Sequence, residues 1–492
     1  MFKEEQSIAM CQGVLGGLLA GLAFFGGGII FMPSALALLW SARRSSRASF
    51  FWGFFAVLIS HYWLLSLHPL TWVGIPSSLS LPVAVGIWLL CGVFGGILVF
   101  TWALLGRFFE LKVCRGGGEQ ESFWHGFVMS LVWGLAEVQL AKTPFFWIGV
   151  GSSLLPEDRI LAGLARWVGS GGLATFQLLA GWLIWRVSLR WRNRLIRNSL
   201  LRIGLIVLLV AHGLGWFALR PVQAVSSISV GAWQSAVPIR EKFSEEQKAL
   251  SKTSLDQALK NAKGKGASVL VTPEGTISSG ERLINPSPIP LLSGGFRWIR
   301  GQQRSSLLVF QVGEIAPHHA LDKHRLVPLG EWVPFSSAFS FRGLSALGGL
   351  QPGGPSRLLN WQGPNAALAI CYELSDGHLL GQAVKSGAKW LLTIANLDPY
   401  PIALHKQFIA ISQLRSIESR RELISVANTG PSILVSTSGV VKHLLPSFSQ
   451  GLAVEEVHLY EKLTIYTIFG EAPLILFLIV GIFFIFNTHD RY

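Results

Sequence analysis

Apolar positions run in long blocks over the first 220 residues and in short beats over the next 250. A helix needs about 20 apolar residues to cross a hydrocarbon layer of ~30 Å. Blocks of that kind fall at 8–24, 28–41, 50–67, 82–105, 124–141, 162–185 and 202–219, with another at 471–487. The first two are short and parted only by Gly26, Gly27 and Gly28, so one long hairpin or a cleaved leader competes with two spans. The first block lacks a following small-residue cleavage site, and more blocks come after it, which favours two spans.

The segment 221–469 has another texture. Short β-rich runs at 228–232, 268–272, 306–312, 366–370, 390–395 and 423–427 alternate with polar helical patterns at 245–263, 376–385 and 404–421. Strands of that length between helices predict a layered α/β domain, and a segment of this size can bury its own core. The predicted organisation is a membrane domain of about seven helices over 1–220, a soluble domain over 221–469, and a final span and tail over 470–492.

Composition sharpens this. Half of the 492 residues are hydrophobic and 14% are charged, against about 25% charged in an ordinary soluble domain. The net charge is +14, which can mark a nucleic-acid surface. Here the basic excess sits in short loops between apolar blocks, so membrane topology explains it and no nucleic-acid partner is expected. Arg43, Arg44 and Arg47 follow the second block, Arg107, Lys112 and Arg115 the fourth, and Arg186, Arg190, Arg192, Arg194 and Arg197 the sixth, whereas the 68–81 loop has no Lys or Arg. The positive-inside rule then puts both termini in the cytoplasm and 221–469 on the outer side.

Chemistry concentrates in three places after strands: Val271-Thr272-Pro273-Glu274, Asp322-Lys323-His324-Arg325-Leu326-Val327-Pro328-Leu329-Gly330-Glu331, and Ala369-Ile370-Cys371-Tyr372-Glu373. A thiol needs a base to become a nucleophile, which suits Glu274 beside Cys371. Attack on a carbonyl builds an oxyanion that a fixed cation stabilises by ~3 kcal/mol, which suits Lys323. Each residue alone has a plainer reading. A cysteine beside a strand is most often a small buried hydrophobe, the carboxylate can cap a turn, and the lysine can be a solvated loop charge. Glu331 and Glu373 read as supports that hold Lys323 charged, with an ordinary ion pair as the alternative. Tyr372 shapes an acyl site or simply packs. The other three cysteines, Cys11, Cys91 and Cys114, lie outside this segment. His318, His319 and His324 match no standard zinc spacing, and Arg415, Glu418 and Arg421 read as a helical ion-pair ladder. Neither a cofactor nor a metal is expected.

A Glu, Lys, Cys order in these settings resembles the carbon–nitrogen hydrolase (nitrilase) superfamily. The blocks Lys-x-x-Leu-Val-Pro-x-Gly-Glu and Cys-Tyr-Glu, with spans on both sides, resemble its membrane-bound branch, the apolipoprotein N-acyltransferases. The resemblance covers essentially the whole chain. It departs at Ala395-Asn396-Leu397-Asp398-Pro399-Tyr400, where the branch commonly has Asn-Asp and a nearby Trp, and at Lys242-Phe243, where an early Trp is common. It implies an αββα sandwich on the periplasmic side of a bacterial inner membrane. It further implies Glu274, Lys323 and Cys371 as catalytic residues, a phospholipid acyl donor, and a diacylated lipoprotein acceptor whose N-terminal amine receives the chain.

The stretch 332–350 follows the lysine block and is rich in Phe and Leu. Trp332, Phe335, Phe339 and Phe341 predict a lid over a lipid entrance. Two rivals stay open. A membrane-tethered amidase or nitrilase acting on small amides would share the three residues but needs only one span. A non-enzymatic binding or transport protein would carry intramembrane charge, and Glu137, Lys142 and Arg166 instead fall near predicted span ends.

Overall fold

A computed structural model of the chain describes residues 2–73, 75–113, 123–238, 240–242, 244–328, 330–332 and 349–487. The apolar half folds as α1 (Phe2–Leu22), α2 (Gly28–Ala42), α3 (Ser46–Ser60), α4 (Ser77–Val113), α5 (Phe123–Ala141), the short α6 (Arg159–Ala162), α7 (Ala165–Leu189) and α8 (Arg194–Ala218). Side-chain caps set several starts: Ser45 accepts from the Ala48 amide at α3, and Asn193 from the Ile196 amide at α8. By length and composition α4, α7 and α8 can each cross a membrane, while α2 and α3 are shorter apolar helices. Met32, Leu36, Leu39 and Trp40 of α2 pack with Trp52, Trp102, Trp182 and Trp185 in the bundle core. Around α8, by contrast, apolar side chains from Leu201 to Phe217 stay exposed, with Ala211, Gly215 and Ala218 buried. A helix apolar on nearly every face belongs in lipid.

The predicted span 50–67 stops as an α-helix at Ser60 and continues as two 3₁₀ turns, Tyr62–Leu67 and Leu70–Val73. Pro69, which has no N–H to give, falls between the two turns. Arg166, expected at a span end near the interface, is buried and donates to the carbonyls of Ile417, Ala218 and Thr437. It joins the bundle to the second half of the chain.

That half holds β1 (Ser226–Gln234), α9 (Glu245–Gly264), β2 (Val269–Ile277), β3 (Leu291–Ile299), β4 (Gln302–Phe310), β5 (His319–Asp322), β6 (Leu358–Leu359), β7 (Ala366–Ile370), α10 (Gly377–Lys385), β8 (Trp390–Ala395), α11 (Ile402–Ser419), β9 (Leu423–Ala427), β10 (Ser432–Val435), β11 (Val441–Leu445) and β12 (Gly451–Leu459). The short α12 (Ile465–Phe469) then leads to the apolar α13 (Ala472–Asn487). The strands form two six-stranded sheets, ordered β12-β1-β2-β3-β4-β5 and β11-β10-β9-β8-β7-β6. Val230, Val269, Val271, Leu292 and Leu307 of the first sheet face Leu368, Ile370, Leu392, Ile394 and Val426 of the second in one buried cluster. Full burial of each such side chain contributes about 1.5–3 kcal/mol. Helix α9 covers the outer face of the first sheet, and α10 with α11 cover the second, so the layers read αββα.

Helix α11 is buried on both sides. Phe408 and Ile411 pack toward the second sheet, and Ala410, Leu414 and Ile417 pack with Leu161, Ala165, Leu173 and Ala211 of the bundle. Its polar residues are therefore interior. Arg415 and Glu418 form the expected pair at 2.5 Å, but out of solvent. Arg421 lies past the helix end and donates instead to the carbonyls of Ala388, Glu461 and Lys462, so the predicted ladder has one rung.

Candidate active site

Three strand ends deliver the chemistry. In β2 the pairing with β3 slips between Thr272 and Ile277, a bulge that turns Glu274 out of the ladder. Gly294 on β3 makes room, since a Cβ there would lie 2.5 Å from the Glu274 Cα and 2.3 Å from the Pro273 carbonyl oxygen. Lys323 follows β5 directly. Its approach is fixed by Asp322, which binds Arg297 at 2.6 and 2.8 Å, Arg304 at 3.0 Å and Ser306 at 2.7 Å. Cys371 follows β7 and opens a 3₁₀ turn, Cys371–Ser375, with φ at 53°. The left-handed region costs a non-glycine residue of order 1–2 kcal/mol, and here the strained turn sets the thiol at the strand's end.

Lys323 is 1% exposed. Its Nζ donates to Glu274 Oε1 at 2.8 Å and to Glu331 Oε1 at 2.7 Å. Burial alone would push the ammonium down, but the two carboxylates outweigh it and hold it well above the usual lysine value. Burial, with Lys323 opposing, pushes Glu331 up. Cys371 is partly buried. Burial and the Glu274 charge push its thiol up, and Lys323 pulls it back only in part, so the resting sulfur is protonated. Glu274 Oε2 accepts the Asn396 amide at 3.2 Å, and that same amide faces the sulfur. Base, cation and thiol thus form one electrostatic cluster, able to take a proton from sulfur and to stabilise a developing oxyanion.

The supports differ in kind. Glu331 touches Lys323, as the sequence suggested. Glu373 does not. Its Oε1 accepts from the His324 amide at 2.7 Å, the Arg325 amide at 3.2 Å and Arg357 Nη1 at 2.9 Å, and its Oε2 from the Ile370 amide at 2.8 Å and Arg357 at 3.0 Å. It holds the lysine loop and the cysteine turn in register through their backbones. Tyr372 shares its one hydroxyl proton between the carbonyls of Pro144 at 2.9 Å and Phe146 at 2.6 Å and stacks on Trp147. Arg325 lies over the Tyr372 ring and donates to the carbonyls of Ala141 and Phe146. The segment after α5 is therefore pinned to the residue next to the thiol.

Sequence reasoning missed Asn396, Arg357, Gly294 and Tyr400. Tyr400 meets Trp63 edge to face at 5.2 Å, and burial pushes its hydroxyl up. Asn396 and Tyr400 sit in the segment where the family pattern departs, and that departure was the available signal. Trp332 lies beside Pro328, whereas Phe335, Phe339 and Phe341 fall outside the described residues. His324 bonds the Gly353 carbonyl at 2.9 Å, and His318 lies 3.3 Å from Glu314. Among the described residues, no group of three or more His, Cys, Asp or Glu side chains could hold a metal ion.

An apolar helical bundle carrying an αββα sandwich, with Glu, Lys and Cys gathered at its strand ends, has the build of a membrane-bound nitrilase-like enzyme. No protein-family model matches the chain. An apolipoprotein N-acyltransferase of Prochlorococcus marinus is 55% identical over 482 residues, covering 97% of each chain. Another, from Parasynechococcus marenigrum, is 51% identical over 466 residues, covering 94% of this chain and 98% of the relative. The chain belongs to the apolipoprotein N-acyltransferases, a family of enzymes. Among solved structures, Saccharomyces cerevisiae Nit3, a member of branch 10 of the nitrilase superfamily, is similar at 14% identity and a TM-score of 0.37, over 49% of this chain and 93% of its own. A likeness that slight adds no weight to the strand pairing described above.

Proposed function

We propose that the chain transfers an acyl group from a membrane phospholipid, through a thioester on Cys371, to the N-terminal amine of a diacylglyceryl-cysteine lipoprotein. Glu274 takes the thiol proton as sulfur attacks the ester carbonyl, and Lys323 faces the oxyanion. Collapse breaks the ester C–O bond, and the lysophospholipid leaves with the proton returned by Glu274. The lipoprotein amine then attacks the thioester, its proton passes to Glu274, and the thiol is restored. The observation that carries this reading is the meeting of Glu274, Lys323 and Cys371 directly beside the helical bundle, with Tyr372 bonded to the segment after α5. Both substrates are lipid-anchored, so a thiol at the bundle's edge receives them by lateral diffusion, and shielding from water favours transfer over hydrolysis.

In this reading residues 1–220 span the membrane about seven times, 221–469 stand on the periplasmic side, and 470–492 return across the inner membrane. The basic loops support that orientation. The test is transfer to a diacylated lipopeptide by protein reconstituted in phospholipid nanodiscs, read by lipopeptide mass. A gain of one acyl chain is expected, falling roughly 10²–10⁴-fold in Glu274→Gln. Ammonia release from small amides with no acylated lipopeptide would replace this reading with the hydrolase.

A further inference from the structure

Two asparagines leave the second sheet side by side. β8 and β9 run parallel with Ala395 opposite Ala427, so Asn396 and Asn428 follow at neighbouring strand ends. Asn428 is wholly buried. Its Nδ2 donates to Asn396 Oδ1 at 3.0 Å and to the Val237 carbonyl at 2.6 Å. Its Oδ1 accepts the Val237 amide at 3.1 Å and the Ser235 hydroxyl at 2.7 Å. Val237 presents one acceptor and one donor, which fixes the two ends of the Asn428 amide, and all four bonds such a side chain can make are made.

The partners come from different sheets. Ser235 and Val237 follow β1 of the first sheet, whose β2 carries Glu274, and Asn396 follows β8 of the second, next to the β7 that delivers Cys371. Ala236 takes a left-handed φ of 53°, a conformation alanine keeps only under restraint, and its amide donates to the Asn428 carbonyl at 2.9 Å. The chain leaving the first sheet is thus bent around Asn428. On the other side Asn428 grips Asn396, whose backbone amide donates to Glu274 Oε2 at 3.2 Å and faces the sulfur.

We propose that Asn428 is a positioning residue for the thiol chemistry: braced against the first sheet, it holds Asn396 so that one peptide N–H serves both the Glu274 carboxylate and the Cys371 sulfur. When the thiol proton passes to Glu274, negative charge moves from oxygen to sulfur. A donor fixed between them stays with the charge without any movement of the loop, and one displaced by an ångström serves neither atom well. The inference rests on the acyl-transfer reading only for one of its two assays, because the same proton transfer accompanies alkylation of the thiol.

The test uses the full chain in a neutral maltoside detergent free of phospholipid, with Asn428→Ala, Asn396→Ala and the double variant. Thermal melts set a temperature at which each is folded. Iodoacetamide labelling of Cys371 is followed by peptide mass: the sulfur–carbon bond forms, iodide leaves and the thiol proton goes to Glu274. Single-turnover acylation by added phospholipid is followed beside it. Asn428→Ala is expected to slow labelling about tenfold or more and acylation about a hundredfold, with the half-saturating phospholipid concentration little changed. Asn396→Ala keeps the peptide N–H and removes only the atom that Asn428 grips, and it is expected to slow both steps as well. The double variant should be no slower than the slower single one. Parent rates in folded Asn428→Ala, or losses that multiply in the double variant, would overturn the inference and leave Asn428 a strut between the sheets. Should Asn428→Ala not fold, Asn396→Ala decides, and parent rates there would overturn it. A parent that labels but takes no acyl chain would sink the acyl-transfer reading, and the labelling rates would still decide this one.

Discussion

Replacing Glu373 by Gln should separate the geometry of the site from its chemistry. Among the described residues that carboxylate meets only donors: three backbone amides and the Arg357 guanidinium, at 2.7 to 3.2 Å. An amide turned either way sets its NH₂ against at least two of them. With the NH₂ at the Oε2 position it faces the Ile370 amide and Arg357, and at the Oε1 position it faces His324, Arg325 and Arg357. Arg357, 2% exposed, also loses its counter-charge. Breaking one partner of a buried ion pair costs about 3–5 kcal/mol, so a loss of at least ~3 kcal/mol is expected. For a domain of this size that lowers Tm by roughly 6–12 °C. The lysine loop and the cysteine turn lose their common anchor, and a misplacement near 1 Å reduces turnover about a hundredfold. Thermal unfolding in detergent and single-turnover acylation measure both effects. Removing the stranded charge as well, in Glu373→Gln with Arg357→Met, should recover part of the stability but not the rate. An apparent Tm within ~2 °C of the parent would show that the network is not what holds the two loops.

Three further outcomes follow from single contacts. A Cβ at Gly377 would sit 1.5 Å from Arg415 Nη1, so Gly377→Ala must displace the buried Arg415–Glu418 pair and lower Tm by about 6 °C or more; an unchanged melt would refute that packing. Tyr372→Phe removes the shared bond to the 144–146 carbonyls and should slow acylation more than it lowers Tm, whereas equal rates would make the tyrosine a packing residue only. Because burial and Glu274 hold the Cys371 proton on sulfur, iodoacetamide labelling at this residue should be slow and keep rising about tenfold per pH unit from pH 7 to 9 without levelling. A rate that levels near a free thiol's ~8.5, or one flat across this range, would contradict that electrostatic account.

Much of this was legible in the sequence, for definite reasons. The strands at 366–370, 390–395 and 423–427 are continuous apolar runs because they lie in the buried second sheet, and their ends match β7, β8 and β9 residue for residue. The site was legible because Glu274, Lys323 and Cys371 each follow or leave such a run. β3 was not legible: Gly294 and Gly295 interrupt it, and its second glycine-bearing half reads as a loop. Outer strands such as β12, with Glu455, Glu456 and His458, carry too many polar residues to stand out. α11 misled in the other direction, since its buried polar residues resemble a solvated face until the bundle is seen against it. Glu373 could be found by position but not by role, because its partners are backbone amides from segments about 50 residues away, which no spacing rule reaches.

The most direct test of the account is the mass of the intact protein after incubation with phospholipid and no acceptor, beside a Cys371→Ser control. The account predicts a gain of one acyl chain on Cys371, absent in the control and discharged by a lipopeptide amine. An unmodified protein that nonetheless acylates the lipopeptide at full rate would contradict the thioester and with it the role given to Cys371.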